Sequence, residues 1–244
     1  AKFLKSRHWL FGRDAADHKI SHRVGGETTM CDSMSVFVTR PRSSSFRNQV
    51  DVVELFGGDA LTTRVLLKRY NAVTGQNFDL TTGFDLSSTA CVKQLHDYLA
   101  DVRPAVVIMA PPCTGLKGFK HLNRIVNPDS YRTQRRQSIL LARLAASVAR
   151  LQLKNKRHFI VESPKDSDLF ELDEWAQLIP HVHKVVFDQC RTGLRMRKAP
   201  FLPIKKPTEI WASHPLLVKR LHYKCCNGLH EHARIGAWFG PKPP

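Results

Sequence analysis

The sequence predicts a Rossmann-like α/β fold, in which helices cover both faces of a doubly wound, mixed sheet. Short apolar runs alternate with segments of helical periodicity from residue 51 onward. Strands that are apolar on both faces are typical of sheets buried between helices. Glycine, proline or acidic residues closely follow these runs, after Leu55, Met109, Val161 and Phe187. Because ligands of such sheets bind beyond the carboxyl ends of the strands, these positions predict one binding site.

Each predicted element rests on its apolar pattern. Strands are expected at residues 51–56, 71–74, 105–109, 158–161 and 184–187, and helices at residues 60–70, 92–101, 131–153 and 173–178. Three segments are expected along the chain. Residues 1–50 form a basic extension that packs on or flanks the core, residues 51–200 form the core, and residues 201–244 form a short C-terminal segment.

The longest predicted helix combines an apolar face with a row of arginines. Its apolar positions recur at helical spacing, at Leu140, Leu144, Val148 and Leu151. The arginines are seven residues apart, which is nearly two helical turns, at Arg136, Arg143, Arg150 and Arg157. They predict one ridge, which either is solvated or contacts phosphates.

The charge of the chain is strongly basic. Lysine and arginine number 38 against 21 acidic residues, which gives a net charge of +17. This charge favours a polyanionic partner, with nucleic acid first and an anionic membrane surface second, while general solubility is the alternative. No apolar run approaches the roughly 20 residues of a membrane span, and no secretory signal is recognised. We therefore expect a monomeric nuclear or cytoplasmic protein that is neither secreted nor inserted in a membrane.

The turn after the first strand is rich in glycine. Gly57 and Gly58 follow Glu54 and Phe56, and glycine lets the backbone approach a ligand closely. An acidic residue, an aromatic residue and small residues at this turn are typical of an S-adenosylmethionine site. The alternative is a tight connection between a strand and a helix.

Two further strand ends carry reactive side chains. Pro111 and Pro112 stiffen the loop that presents Cys113, and a thiol in a basic chain is a candidate nucleophile. Glu162 follows another strand, just before Pro164, where a carboxylate suits acid–base chemistry or recognition of an amide edge. A structural cysteine and an ordinary loop acid are the alternatives.

Taken together, four motifs resemble the DNA cytosine-C5 methyltransferase family over about residues 51–200. Residues 54–58 (Glu-Leu-Phe-Gly-Gly) resemble its first motif, and residues 111–113 (Pro-Pro-Cys) match its catalytic loop. Residues 162–164 correspond to its Glu-Asn-Val/Pro tripeptide, and residues 189–191 to its Gln-x-Arg-x-Arg strand. The form of these motifs is most similar to divergent, retroelement-associated members. The chain departs from the family at Asp59, Ala60, Thr114 and Gly193, and no recognition domain of ~100 residues follows.

The resemblance implies a methyltransferase core of the S-adenosylmethionine-dependent fold, acting on cytosine C5 in DNA or, less favoured, RNA. It implies three catalytic residues, with Cys113 adding to C6 of the base, Glu162 acting at N3, and Arg191 from the Gln-x-Arg motif. A catalytically degenerate domain that keeps the fold and binds nucleic acid is the alternative.

The resemblance also implies a cofactor site at Phe56, Gly57, Gly58, Asp79, Asp85 and Pro111. The aromatic ring and the glycines would contact the methionine part of S-adenosylmethionine. Asp79 would bind the ribose hydroxyls, and Asp85 the adenine amino group.

A cluster of cysteine and histidine lies near the end of the chain, in residues 225–232. Such short spacing is typical of zinc ligands, and a closed site needs four. We expect Cys226, His230 and His232 to be three ligands, with Cys190 as the fourth and Cys225 as the other candidate. A packing motif without metal is the alternative.

Overall fold

The computed structural model describes residues 50–117, 120–196, 201–221, 225 and 230–233. Residues 1–49 of the predicted basic extension lie outside this part of the chain. The strands are Val52–Leu55 (β1), Thr74–Phe78 (β2), Val106–Met109 (β3), His158–Pro164 (β4), His183–Asp188 (β5) and Pro207–Ala212 (β6). The helices are Leu61–Tyr70 (α1), Thr89–Val102 (α2), Lys120–Val126 (α3), Pro128–Lys154 (α4) and Asp173–Ala176 (α5).

The strands form one mixed sheet in the order β2-β1-β3-β4-β6-β5. Strands β2, β1, β3 and β4 are parallel to one another, whereas β6 is antiparallel to both β4 and β5. Helices flank this sheet. The predicted α/β class with a mixed sheet is therefore confirmed, and the architecture is compatible with a Rossmann-like fold.

Strand β6 comes from the segment that was expected to be a short appendage. It lies between β4 and β5, where Ile210, Trp211 and Ala212 are fully or almost fully buried. A strand with neighbours on both sides and apolar side chains on both faces belongs to the core. The predicted division at residue 200 therefore runs through the sheet.

Strand β2 begins three residues later than the sequence indicated, at Thr74 rather than at Asn71. Asn71 ends α1 in the left-handed conformation, and its N–H bonds to the carbonyls of Leu66 and Leu67. Asparagine tolerates this conformation better than most residues, so it is a natural helix terminus. The chain reaches the sheet only after this turn.

Helix α4 packs one long face against the sheet. Asn127 caps its first turn by accepting a hydrogen bond from the Ser130 amide at 3.2 Å. Leu144 and Val148 are buried as expected, but Leu140 is 45% exposed because the buried face runs through Leu141 instead. Burying each such side chain stabilises the fold by about 1.5–3 kcal/mol. Among the described residues, no helix combines the length and the apolar character that crossing a bilayer requires.

Candidate functional site

The ends of three neighbouring strands lie at the same level of the sheet. Leu55 of β1 is paired with Met109 of β3, and Met109 is paired with Val161 of β4. The glycine turn and the Cys113 loop leave the sheet after Leu55 and Met109, whereas β4 continues through Glu162 to Pro164. The structure therefore brings these three predicted motifs to one edge.

The glycine turn after β1 has an unusual backbone. Phe56 and Gly58 both adopt the left-handed conformation, with φ values of 59° and 58°. A Cβ atom on Gly58 would meet nothing within 4 Å, whereas one on Gly57 would lie 2.6 Å from Oδ1 of Asn77. The turn is thus closed at Gly57 and open at Gly58. The ring of Phe56 is buried in the core, so only its backbone faces the turn.

The peptide groups of Gly58 are held from the side of β2. Its N–H donates to Oδ2 of Asp79 at 2.9 Å, and its carbonyl accepts from Nδ2 of Asn77 at 2.9 Å. The other carboxylate oxygen of Asp79 accepts from the amide and the hydroxyl of Thr81. Asp79, predicted as a ribose ligand, therefore also fixes the glycine turn.

Two other polar side chains bear on the predicted cofactor site. Asp85 is exposed, and hydrogen bonds from the hydroxyl and the amide of Ser87 hold its pKa below the usual value. Asn77 is buried, and its Oδ1 atom has no hydrogen-bond partner among the described residues. A buried acceptor without a donor is uncommon in folded proteins, so the described residues leave the hydrogen-bonding capacity of this atom unused.

Glu54 is buried beneath the glycine turn. Its Oε2 atom accepts from the amide of Thr63 at 3.1 Å and from the Thr63 hydroxyl at 2.8 Å. Burial raises the pKa of Glu54, and the hydrogen bonds from Thr63 and Thr62 oppose this shift. The carboxyl group thereby joins the end of β1 to the first turn of α1.

The Cys113 loop forms a compact turn after β3. Pro111 is buried, and Pro112 and Cys113 are half-buried. The carbonyl of Cys113 accepts from the amides of Leu116 and Lys117 at 2.9 and 3.0 Å. The turn holds the backbone of Cys113 while its side chain keeps partial access to solvent.

Helix α4 supports this loop at Gly115. A Cβ atom on Gly115 would lie 2.4 Å from the Cα atom of Arg135, so the loop backbone directly contacts the helix. The amide of Gly115 donates to the Ser138 hydroxyl, and its carbonyl accepts from Arg135 at 3.0 Å. Only glycine fits this contact without displacing the backbone.

An ion-pair network reinforces the same loop. Asp168 accepts from Arg135 at 2.9 Å and from Lys120, and its own amide donates to the carbonyl of Leu116. Partial burial raises the pKa of Asp168, but the hydrogen bonds from Lys120 and Arg135 lower it, and the net pKa lies below the usual value. Sequence spacing gave no signal of this network, because its members are far apart in the chain.

Glu162 lies in β4, where it is only 7% exposed. Its Oε1 atom is 3.6 Å from the ammonium group of Lys206 and has no hydrogen-bond partner among the described residues. The hydroxyl of Ser163 is also buried and, in the same part of the chain, without a hydrogen bond. The sequence did not indicate Lys206, which precedes a strand that was not predicted.

The Gln-x-Arg motif forms a 3-10 turn and not a strand. Strand β5 ends at Asp188, and Gln189–Thr192 make the turn. Gln189 is fully buried, its amide donates to the carbonyl of Lys206 at 3.1 Å, and its side-chain amide has no partner among the described residues. Arg191 is exposed on the turn. Lys206 therefore links this turn to Glu162.

A second cluster gathers next to this turn. One donor atom from each of Cys190, Cys225, His230 and His232 lies within 4.8 Å of the others, so the cluster could hold a metal ion. Cys226, which was expected as a ligand, lies outside the described residues, and Cys225, the other candidate, belongs to the cluster. Burial and the neighbouring Cys225 raise the pKa of the Cys190 thiol to about 11. Partial desolvation, followed by the charges of His230 and Lys205, lowers the pKa of His232.

The arginine ridge predicted on α4 is interrupted. Arg143 pairs with Glu174 at 2.9 Å, and Arg150 donates to Gln177 at 3.1 Å. Arg157 lies beyond the helix, which ends at Lys154. The four arginines therefore do not form one continuous ridge.

Comparison with known proteins gives no match, neither to a family model nor, at a significant level, to a curated protein.

Proposed function

We propose that the chain transfers a methyl group from S-adenosylmethionine to C5 of cytosine in nucleic acid, with DNA favoured over RNA. The observation that carries this proposal is the in-register placement of the glycine turn, the Cys113 loop and Glu162 at one edge of the sheet. The single reversed strand is consistent with the mixed sheet expected for the methyltransferase fold.

The residues around the glycine turn fit the cofactor. The open space at Gly58 admits a ligand close to the backbone, and the buried Oδ1 of Asn77 lacks a donor among the described residues. Asp85 offers an exposed carboxylate, which is suited to binding an amino group or a hydroxyl. When bound, S-adenosylmethionine supplies a methyl group activated by its sulfonium charge.

In this proposal Cys113 makes cytosine reactive. Its thiolate would add to C6 of the base, so that electron density moves to C5. C5 would then take the methyl group, and the electrons of the broken methyl–sulfur bond would stay on the sulfur of the departing cofactor. A base afterwards removes the C5 proton, and elimination releases the Cys113 thiolate. The hydrogen bonds to the Cys113 carbonyl and the contact of Gly115 with α4 hold the backbone that carries this thiol.

Glu162 acts at the opposite side of the ring. A protonated Glu162 would donate to N3 and stabilise the negative charge that develops there when the thiolate adds. Its buried Oε1 has no hydrogen-bond partner among the described residues, and the ammonium group of Lys206 lies 3.6 Å away. In a duplex, the cytosine must first leave the stack, at a cost of about a few kcal/mol.

One observation favours the degenerate alternative. Both carboxylate oxygens of Asp79 accept hydrogen bonds from the protein itself, from Gly58 and Thr81. Because the carboxylate of Asp79 already holds the glycine turn, it need not bind the ribose of a cofactor. Calorimetric titration with S-adenosylmethionine distinguishes the two readings, because a degenerate domain would bind nucleic acid without binding the cofactor.

The direct test is mass-spectrometric detection of 5-methylcytosine after the chain is incubated with S-adenosylmethionine and DNA or RNA. We expect methylated product from wild type and none from Cys113→Ser. Cys91→Ser is the matched control, because Cys91 is also half-buried but lies in α2. Cofactor binding without product on any substrate would contradict the proposal.

We also propose zinc as the ion for the Cys/His cluster. Two thiolates and two imidazoles at tetrahedral positions are a donor set that zinc prefers. Metal analysis of protein purified without chelators tests this assignment, and we expect about one equivalent of zinc per chain.

A further inference from the structure

The distances in the Cys/His cluster match a bound ion. Tetrahedral zinc with sulfur and nitrogen ligands sets its donor atoms roughly 3.3 to 3.8 Å apart, given the usual bond lengths. The Sγ atom of Cys225 lies 3.2 Å from Nε2 of His232 and 3.8 Å from Nε2 of His230. All four donor atoms lie within 4.8 Å of one another, so only a small contraction is needed.

The four donors come from two distant parts of the chain. Cys190 belongs to the turn after β5, whereas Cys225, His230 and His232 belong to the C-terminal segment. The described residues around these ligands, 225 and 230–233, form neither helix nor strand. Among the described residues, their backbone bonds to the core through the Cys225 amide, which donates to Asp188, and the Ala233 amide, which donates to the carbonyl of Pro203.

The turn that carries Cys190 borders the candidate site. Gln189, next to Cys190, bonds to the backbone of Lys206, and the ammonium group of Lys206 faces Glu162. Arg191 follows directly after Cys190. A restraint on Cys190 therefore also restrains Gln189 and Arg191. Gln189 is connected to Glu162 through Lys206.

We propose that a zinc ion bound by Cys190, Cys225, His230 and His232 fastens the C-terminal segment to the turn after β5 and holds that turn beside Glu162. The ion is structural, because four protein ligands leave no position for a substrate. Asp188 supports the site by accepting from the Cys225 amide at 2.8 Å. The inference rests on the proposed function only where it assigns a role to Glu162.

The first experiment identifies the ligands. Metal content is measured in the full chain and in Cys225→Ser, with Cys226→Ser as the matched control. We expect Cys225→Ser to lose the zinc and Cys226→Ser to keep it. The reverse pattern would overturn the ligand set, and so would an intact mass showing that Cys190 and Cys225 form a disulfide in the purified protein.

Substitution with cobalt keeps the test valid if Cys225→Ser fails to fold. In the wild-type chain, cobalt(II) exchanged for zinc should give the absorption bands of two thiolate ligands in tetrahedral geometry. Bands of an octahedral site without thiolate, or zinc below about a tenth of an equivalent in chelator-free protein, would overturn the proposal.

Hydrogen exchange tests the role of the ion. Removing zinc with a chelator should speed exchange at residues 189–192 by at least tenfold and leave the glycine turn at residues 56–58 unchanged. Equal effects at both places, or none, would overturn the role as a fastening. If the chain binds zinc and zinc slows exchange at residues 189–192, but no methyl transfer occurs, only the proposed function is contradicted. If the zinc-free chain transfers methyl groups at the full rate, only this inference is contradicted.

Discussion

The ammonium group of Lys206 lies 3.6 Å from the Oε1 atom of Glu162. Glu162 lies in β4, and Lys206 directly precedes β6. This relationship joins the segment after residue 200 to the centre of the candidate site. Lys206 places a positive charge beside a buried carboxyl group, so the site depends on residues that follow the predicted core.

Glu162→Gln should lower the rate of methyl transfer by roughly two to four orders of magnitude, since an amide cannot donate the proton of a carboxylic acid. Binding of DNA that contains a mismatched cytosine should persist. Single-turnover kinetics measures the effect, and Glu171→Gln, an exposed position, is the control. Activity within about a factor of two of wild type would show that Glu162 has only a structural role.

Cys113→Ser should abolish turnover and leave the affinity for S-adenosylmethionine nearly unchanged, because the thiol contacts the base and not the cofactor. An oligonucleotide with 5-fluorocytosine should form a covalent adduct with wild type, since fluorine at C5 cannot leave as a proton. Intact mass and calorimetry measure the two effects. Methyl transfer without any adduct would remove Cys113 from the mechanism.

Gly115→Ala should destabilise the fold by about 1–3 kcal/mol and also slow methyl transfer, because the new Cβ would meet the backbone of Arg135 at 2.4 Å. Gly75→Ala is the matched comparison. A Cβ there would lie 2.6 Å from the hydroxyl of Tyr98, near the beginning of β2, so it should cost about 1–3 kcal/mol in stability without moving the Cys113 loop. Urea unfolding and rate measurements on both variants test the contrast. Equal rates in the two variants would show that the contact between Gly115 and α4 does not position the Cys113 loop.

Asp168→Asn should lower the melting temperature near neutral pH, because the folded state holds the pKa of this carboxyl below its usual value. A depressed pKa contributes stability that is present above the unfolded pKa and lost as pH falls through the folded pKa. The difference from wild type should therefore shrink below about pH 4. Thermal melts across this range measure it, and Asp97→Asn, which breaks the exposed pair with Lys93, should change little. A difference that does not depend on pH would assign the effect to packing.

Nucleic-acid affinity should fall steeply with salt, as expected for contacts between cations and phosphates. Arg136 is exposed, whereas Arg143 is engaged by Glu174. Arg136→Ala should therefore reduce the salt dependence by about one contact, and Arg143→Ala should leave it nearly unchanged. Binding isotherms at several salt concentrations measure both slopes. The opposite result would show that the interrupted ridge opens in the complex.

Strands formed by short apolar runs were predictable from the sequence. The mostly polar strand β2 and the strand after residue 200, β6, were not. Strand β3 is a run of four buried apolar residues, and β1 is apolar apart from Glu54, as expected for the interior of a sheet. Strand β2 reads Thr-Gly-Gln-Asn-Phe, and Gly75 lies there because a Cβ would be 2.6 Å from the hydroxyl of Tyr98. Nothing in the local pattern of such a segment indicates a strand, since contacts distant in sequence determine it.

The candidate site shows the same division between local and distant signals. Cys113 and Glu162 were proposed from the sequence because each comes after an apolar run that predicts a strand. Cys225 and Cys226 are neighbours with the same chemistry, so spacing alone does not rank them as ligands. The place of Cys225 beside Cys190 depends on contacts distant in sequence, such as the bond from the Cys225 amide to Asp188.

The position of β6 between β4 and β5 has a consequence for synthesis on the ribosome. Glu162 is paired with Ile210, so the inner edge of β4 stays open until nearly fifty further residues have been made. Pairings between segments so far apart form slowly, and open strand edges invite association with other chains. A nascent or truncated chain that stops near residue 200 should therefore aggregate, while the same chain extended past Ala212 can close its own sheet.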